Sequence, residues 1–131
     1  MSYNLTTIAV DAMGGDNSPY KSLKGVEIFQ LNNEKVKILL LGDQKKINSA
    51  LNSYSIKLKN YEIIHTSENI DNNDTANTIL RKKKDSSIYR GLEIVKNLDS
   101  SGFVSAGNTA ALMILSRLVL GMIEGIDRPA I

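Results

Sequence analysis

The stretch Val36-Lys37-Ile38-Leu39-Leu40-Leu41 carries a single polar residue and is cut off by Gly42-Asp43. A run this short and this apolar reads as a strand covered on both faces. Such strands belong to parallel sheets, whose crossover helices lie above and below them. The rest of the chain has the alternation this requires. Ile8-Ala9-Val10, Tyr61-Glu62-Ile63-Ile64-His65 and Phe103-Val104-Ser105 are further strand candidates. Between the first two strands, Ser18-Pro19 predicts a helix start, the hydroxyl capping free amides and the proline at the first helical position. Leu23, Val26, Ile28, Phe29 and Leu31 then predict a helix to about Asn32. Asp43 is placed to cap a helix carrying Ile47, Ala50 and Leu51. Beyond the Asn- and Asp-rich loop from Glu68 to Asp74, one helix should run through Arg81 and another from about Ser87 to Asn97. Gly107-Asn108-Thr109 opens an apolar helix to Ile123, with Met113 and Met122 as core fillers. The expectation is an α/β fold, three layers with a mainly parallel sheet between helices. Ile126 to Ile131 reads as the start of another strand, which predicts that the sheet continues past this chain.

Composition narrows the chemistry. With 131 residues and 42% hydrophobic content a real core can form, while a formal charge of +2 demands neither nucleic acid nor membrane as a partner. The absence of cysteine excludes disulfides, thiolate metal sites and a cysteine nucleophile, and a lone histidine, His65, excludes histidine-based metal clusters. His65 at a strand end reads as structural, since no fixed partner can be named for it. Met1 to Thr7 lacks the basic and apolar regions of a secretory signal, and Ala110 to Ile123 is too short and too interrupted to span a bilayer. A cytoplasmic protein is expected, so the sequons at Asn4 and Asn73 carry no consequence.

In an open parallel sheet, ligands collect beyond the carboxyl ends of the strands, where loops turn into helix N-termini. Two loops fit that place. Asp11-Ala12-Met13-Gly14-Gly15-Asp16-Asn17-Ser18 has paired glycines that let backbone approach a ligand, flanked by Asp11 and Asp16. It is neither a Walker A loop nor a dinucleotide fingerprint, and a tight turn with an Asx cap explains it equally. Ser105-Ala106-Gly107-Asn108-Thr109 combines hydroxyls, an amide and backbone N–H groups, read either as an anion site or as a helix cap. Between them, Arg81-Lys82-Lys83-Lys84-Asp85-Ser86-Ser87 is the one dense cationic run. Such a run is ordinarily a solvated face or a helix end complementing its dipole. Cations beside paired hydroxyls also suit a phosphate.

Taken in order, these three blocks together with Gly125-Ile126-Asp127-Arg128-Pro129-Ala130 closely resemble the PlsX-type phosphate acyltransferases. The resemblance covers essentially the whole chain and implies the amino-terminal portion of a single larger α/β enzyme whose carboxyl-terminal part is absent. It implies a fold similar to phosphotransacetylases and to isocitrate and isopropylmalate dehydrogenases, and a homodimer. The implied activity moves a fatty acyl group from acyl carrier protein to inorganic phosphate, giving acyl phosphate for phospholipid synthesis. No cofactor, metal or nucleic acid is implied; peripheral contact at the membrane with a downstream glycerol-3-phosphate acyltransferase is. Two departures are mild: Ile88 stands where methionine is frequent and Ala110 where glycine is common.

Attack of phosphate on a thioester requires a dianion site, oxyanion stabilisation and help for a departing thiol. On the resemblance, Asn108 and Lys83 are the catalytic candidates, Asn108 at phosphate or oxyanion and Lys83 as a cation or as proton donor to the thiol. Asp11, Gly14, Gly15, Asp16, Asn17, Arg81, Lys82, Ser86, Ser87, Ser105, Gly107 and Thr109 are the phosphate and substrate candidates, with Asp11 and Asp16 orienting cations or loop amides. Two rival readings are a phosphotransacetylase-like enzyme using a coenzyme A thioester and a non-catalytic module whose basic run grips an acidic partner. The isolated 131-residue fragment is expected to be inactive.

Overall fold

The computed structural model describes residues 5–130. The Asn4 sequon and Ile131, the last residue of the expected closing strand, lie outside them. Four strands, β1 (Thr7–Asp11), β2 (Lys37–Gly42), β3 (Tyr61–His65) and β4 (Gly102–Val104), form one sheet in the order β3-β2-β1-β4. Every pairing is parallel, with Ala9 opposite both Leu39 and Phe103. Five helices connect them: α1 (Tyr20–Gln30), α2 (Gln44–Ser53), α3 (Ala76–Lys82), α4 (Ser87–Lys96) and α5 (Thr109–Leu120). The expected three-layer α/β architecture is therefore what forms.

The strand alternation sorts the core into two faces. Ile38 and Leu40 point to the side of α1 and α2, where they pack with Leu23, Val26, Ile47 and Leu51. Ala9, Leu39 and Leu41 point the other way, against Ile94 of α4 and Phe103. β2 is buried from Ile38 to Gly42, which is why its sequence is apolar throughout rather than alternating. A second cluster on the α4 side joins Ile79, Ile88, Leu92, Ala111 and Leu115 across α3, α4 and α5.

Local signals set several helix ends. Asp43 caps α2 as its sequence predicts, its Oδ1 accepting from the N–H groups of Lys45 at 2.9 Å and Lys46 at 3.1 Å. Hydrogen bonds from these amides, Lys46 first, hold its carboxyl below the ordinary range. His65 supports the same turn, its Nδ1 accepting from Gln44 N–H at 3.1 Å, a structural role as expected.

Four expectations need correction. Ser18 does not cap α1. Its hydroxyl donates to the carbonyls of Gly14 at 2.6 Å and Gly15 at 2.8 Å, and Pro19 occupies the cap position rather than the first helical one. The loop folds back on itself there and takes the hydroxyl inward. α5 ends at Leu120, where Gly121 turns the chain at φ 82°, and it is not wholly buried. Only Ala111 and Leu115 are inside; Leu118 and Leu120 face out. Met113 is half-buried and Met122 lies on the exposed segment after the helix, so the latter fills no core. Among the described residues, 126–130 form no strand; an Ile126 N–H to Ile123 carbonyl bond makes a turn there instead.

Leu40 is fully buried at the centre of the α1/α2 face. Leu40→Ala is expected to destabilise the domain by about 2–5 kcal/mol through lost burial and the cavity left behind, read as a lower denaturation midpoint.

Candidate anion site at the sheet rim

The carboxyl end of β1 is a topological switch point. The chain leaves β1 through α1 to β2 on one side, while β4, entered after α4 on the opposite face, lies on the other. Loops diverging from adjacent strands leave a crevice there. The observed cavity, about 690 Å³, sits at that crevice and is lined by the β1–α1 loop, the β4–α5 loop, the start of α4 and residues 69–72.

Asp11 joins the two glycine loops. The residue is 2% exposed; its Oδ1 accepts from Met13 N–H at 3.0 Å and its Oδ2 from the Ser105 hydroxyl at 2.7 Å. Ser105 Oγ in turn accepts from Gly107 N–H at 3.1 Å. A buried polar group left without such partners costs roughly 1–3 kcal/mol, so the Ser105–Asp11 bond, the one of the three that crosses between them, binds one loop to the other. The contact is close because Gly14 has no side chain: a Cβ there would lie 2.5 Å from Asp11 Oδ2 and 2.7 Å from Gly107 N. Gly15 at φ 84° and Asn17 at φ 58° then take left-handed conformations that glycine and asparagine tolerate best.

Two long helices aim their N-termini at the cavity. α4 begins at Ser87 and α5 at Thr109, capped respectively by Ser86 Oγ on Tyr89 N–H at 3.3 Å and by Asn108 Oδ1 on Ala111 N–H at 2.9 Å. Each cap satisfies one inner amide; the first amides of each helix remain outward donors, at the positive end of the macrodipole. The Asn108 cap uses Oδ1, and Nδ2 is the donor end of the same side chain.

The sequence-predicted residues divide cleanly. Asp11, Gly14, Gly15, Asp16, Asn17, Ser87, Gly107 and Asn108 line the cavity together. Ser105 stands behind it on Asp11, and Ser86 is fully buried as the α4 cap. Thr109 is exposed beside the cavity without lining it. The cationic run does not enter. Arg81 and Lys82 are exposed in the last turn of α3, where they complement its dipole, and Lys84 is exposed beyond it. Lys83 departs furthest from expectation. Its Nζ donates to the Asn69 carbonyl at 2.6 Å and to Asp74 at 2.6 Å, with Asp71 at 3.4 Å. The Asp74 hydrogen bond raises the Lys83 pKa, and Lys83 in turn depresses that of Asp74. An ammonium so held is a poor proton donor; Lys83 fastens the loop that supplies Asn69, Ile70, Asp71 and Asn72 to the cavity wall. That wall went unforeseen because an Asn- and Asp-rich loop has no periodicity to place it.

The 67–69 segment is stitched to the turn before α4. Ser67 donates its N–H at 2.9 Å and its hydroxyl at 2.6 Å to Asp85 Oδ2, and Asp85 N–H donates to Glu68 Oε2 at 2.9 Å. The Ser67 hydroxyl is the main cause that holds the Asp85 carboxyl below its ordinary range, against an opposing effect of burial. A carboxyl with a folded pKa below its unfolded one contributes stability that is complete above the unfolded value and lost as pH falls through the folded one. Asp85→Asn should therefore lower stability at neutral pH and flatten the acid limb, checked by denaturation midpoints across the acid range; an unchanged acid limb would show Asp85 to be silent.

The chain matches the family described as fatty acid synthesis protein over residues 6–131. It is 42% identical over 124 residues to the phosphate acyltransferase of Alkaliphilus oremlandii, covering 95% of this chain and 37% of that protein. Against the phosphate acyltransferase of Thermoanaerobacterium thermosaccharolyticum it is 44% identical, covering 95% and 36%. Against that of a Wolbachia pipientis strain from Culex pipiens it is 42% identical over 132 residues, covering 98% and 38%. The chain thus spans a little over a third of the length of these relatives.

Proposed function

The chain belongs to the fatty acid synthesis protein family, and from that premise we propose that its cavity is the phosphate-binding part of an enzyme that transfers a fatty acyl group to inorganic phosphate. The observation that carries this reading is the convergence of the α4 and α5 N-termini with the Gly14-Gly15 and Gly107-Asn108 backbones on one crevice. Such donors suit phosphate: backbone N–H groups and positive dipole ends bind anions without a dedicated cation. Ser87 and Asn108 add a hydroxyl and an amide from the same helix starts.

The reaction joins a phosphate oxygen to the thioester carbonyl carbon and breaks the C–S bond. The products are acyl phosphate and a thiol that takes up one proton. Asn108 Nδ2 and the first α5 amides serve the phosphate or the oxyanion of the tetrahedral intermediate. Asp11 acts by holding both loops in place rather than by touching the substrate. Asn108→Asp keeps the cap oxygen, removes the amide donor and adds a negative charge. In the full-length enzyme it should raise the KM for phosphate by at least about tenfold, as expected for loss of a hydrogen bond to a charged group. An unchanged phosphate KM would take Asn108 out of the site.

The acyl donor in this reading is acyl carrier protein. Arg81, Lys82 and Lys84 are exposed and left out of the cavity, so they offer a cationic surface to an acidic carrier near the site. The homodimer that the resemblance implies has a surface to use in the exposed Leu118, Leu120, Ile123 and Ile126. Charge reversal by Arg81→Glu with Lys82→Glu should raise the KM for an acyl-carrier thioester several-fold while sparing a coenzyme A thioester. Equal effects on both donors would remove the basic run from carrier recognition.

A further inference from the structure

Residues 69–72 and the start of α4, Ser87 and Ile88, line the same cavity, although α3 separates them in the chain. The turn 83–86, directly ahead of α4, pins that loop at both ends. At its entrance Glu68 N–H donates to the Asp85 carbonyl at 3.2 Å, and Ser67 bonds the Asp85 carboxyl group. At its exit the pin is Lys83. An ammonium carries three N–H donors, and here there is an acceptor for each: the Asn69 carbonyl, Asp74 Oδ2 and, at 3.4 Å, Asp71 Oδ2. Asp74 closes the knot, accepting from Asp71 N–H at 2.7 Å and donating its own N–H to the Asp71 carbonyl at 3.0 Å. The main chain of Lys83 is committed as well. Its N–H ends α3 on the Ile79 carbonyl, and its carbonyl accepts from the N–H of Ser86, the α4 cap.

Resting on the phosphate reading of the cavity, we infer that Lys83 is a positioning residue: it locks the 69–72 wall to the α4 N-terminus, so that wall and helix start keep one spacing when phosphate enters. It does this from outside, since neither Lys83 nor Asp74 lines the cavity. The loop has little else to hold it. From Asn69 to Asp74 the one apolar side chain is Ile70, half-buried against the α3–α5 cluster, so the loop's place depends on its polar pins. A loop freed at its exit samples many positions, and a ligand that needs one of them binds more weakly in proportion to the fraction of time that position is occupied. At saturating phosphate the ordered position is populated by the ligand itself. The loss therefore falls on phosphate affinity and spares turnover, whereas loss of a proton donor would fall on turnover.

The test uses the full-length enzyme. Lys83→Met and Asp74→Asn break the exit pin from its two sides. Each should raise the KM for phosphate by at least about fivefold, the size of one lost hydrogen bond, while kcat at saturating phosphate and the KM for the thioester stay within about twofold. Combined, they should cost no more than either alone, because a single pin is lost only once. Hydrogen exchange at the amides of 69–72 should quicken in both variants with the β1 and β2 amides unchanged, and Lys83→Arg, which keeps a charged donor, should recover most of the phosphate affinity. A collapse of kcat in Lys83→Met with Asp74→Asn at the wild-type level overturns the pin in favour of a direct role for Lys83 at the reacting atoms. Additive losses or an unchanged phosphate KM also overturn it, as does an equal rise in both KM values, the mark of a general loss of structure. A wild-type enzyme that forms no acyl phosphate overturns the acyl-transfer reading instead, and the exchange rates at 69–72, which need no turnover, keep the two failures apart.

Discussion

The site depends on one buried carboxyl group. Asp11 ends β1 at the point where the sheet's connections diverge, and its two oxygens are divided between the loop it begins and the loop that follows β4. Sheet pairing fixes the strands, but nothing in a ladder fixes the distance between the loops beyond them. The Ser105 hydroxyl on Asp11 Oδ2 supplies that constraint, and Gly14 makes it geometrically possible. Ser100 does the equivalent at the opposite end of the same strand pair, accepting from Ala9 N–H at 3.1 Å and donating to the Thr7 carbonyl at 3.0 Å. The short β4 is thus tied to β1 at both ends by side chains.

Much of the fold could be read from residue pattern because the pattern is itself the consequence of burial. β2 is apolar throughout since both its faces are covered, and Asp43 and Asn108 cap helices because their side-chain oxygens reach the free amides one turn in. The errors fall where a residue had two local options of similar merit. Ser18 was free to cap forward or to bond backward, and the left-handed Gly15 and Asn17 bring the Gly14 and Gly15 carbonyls under it. The apolar run of α5 looked like a core helix, but amino-acid type says only that a face prefers to be covered. In this chain only Ala111 and Leu115 are fully covered and Val119 partly, while Leu118 and Leu120 face out.

The candidate site was legible in its glycine loops and less so in its charges. Asp11, Gly14, Gly107 and Asn108 follow from strand ends and helix starts, which sequence places well. Lys83 reads in sequence as a phosphate-binding cation or a proton donor because its partners, Asp71 and Asp74, lie in a loop whose path no periodicity reveals. Charge runs are read as one object in sequence, whereas a helix end fans them apart: Lys83 turns back into the loop while Arg81 and Lys82 stay in water.

On the proposed reading, that separation is how a cavity with Asp11, Asp16 and Asp71 in its lining would accept an anion. Asp11 has its oxygens occupied by donors, and Asp71 is offset by Lys83, which leaves Asp16 as an exposed charge at the rim. Facing these are two helix ends, each equivalent to roughly half a positive charge, together with their outward amides. Backbone donors of this kind are fixed by the fold and lose no side-chain entropy when a ligand arrives, unlike a lysine drawn in from solvent. A cation placed inside would also compete with the amides for the same oxygens. Keeping Arg81 and Lys82 outside leaves the crevice to groups of fixed geometry, while their positive field still acts on anything negative approaching the rim.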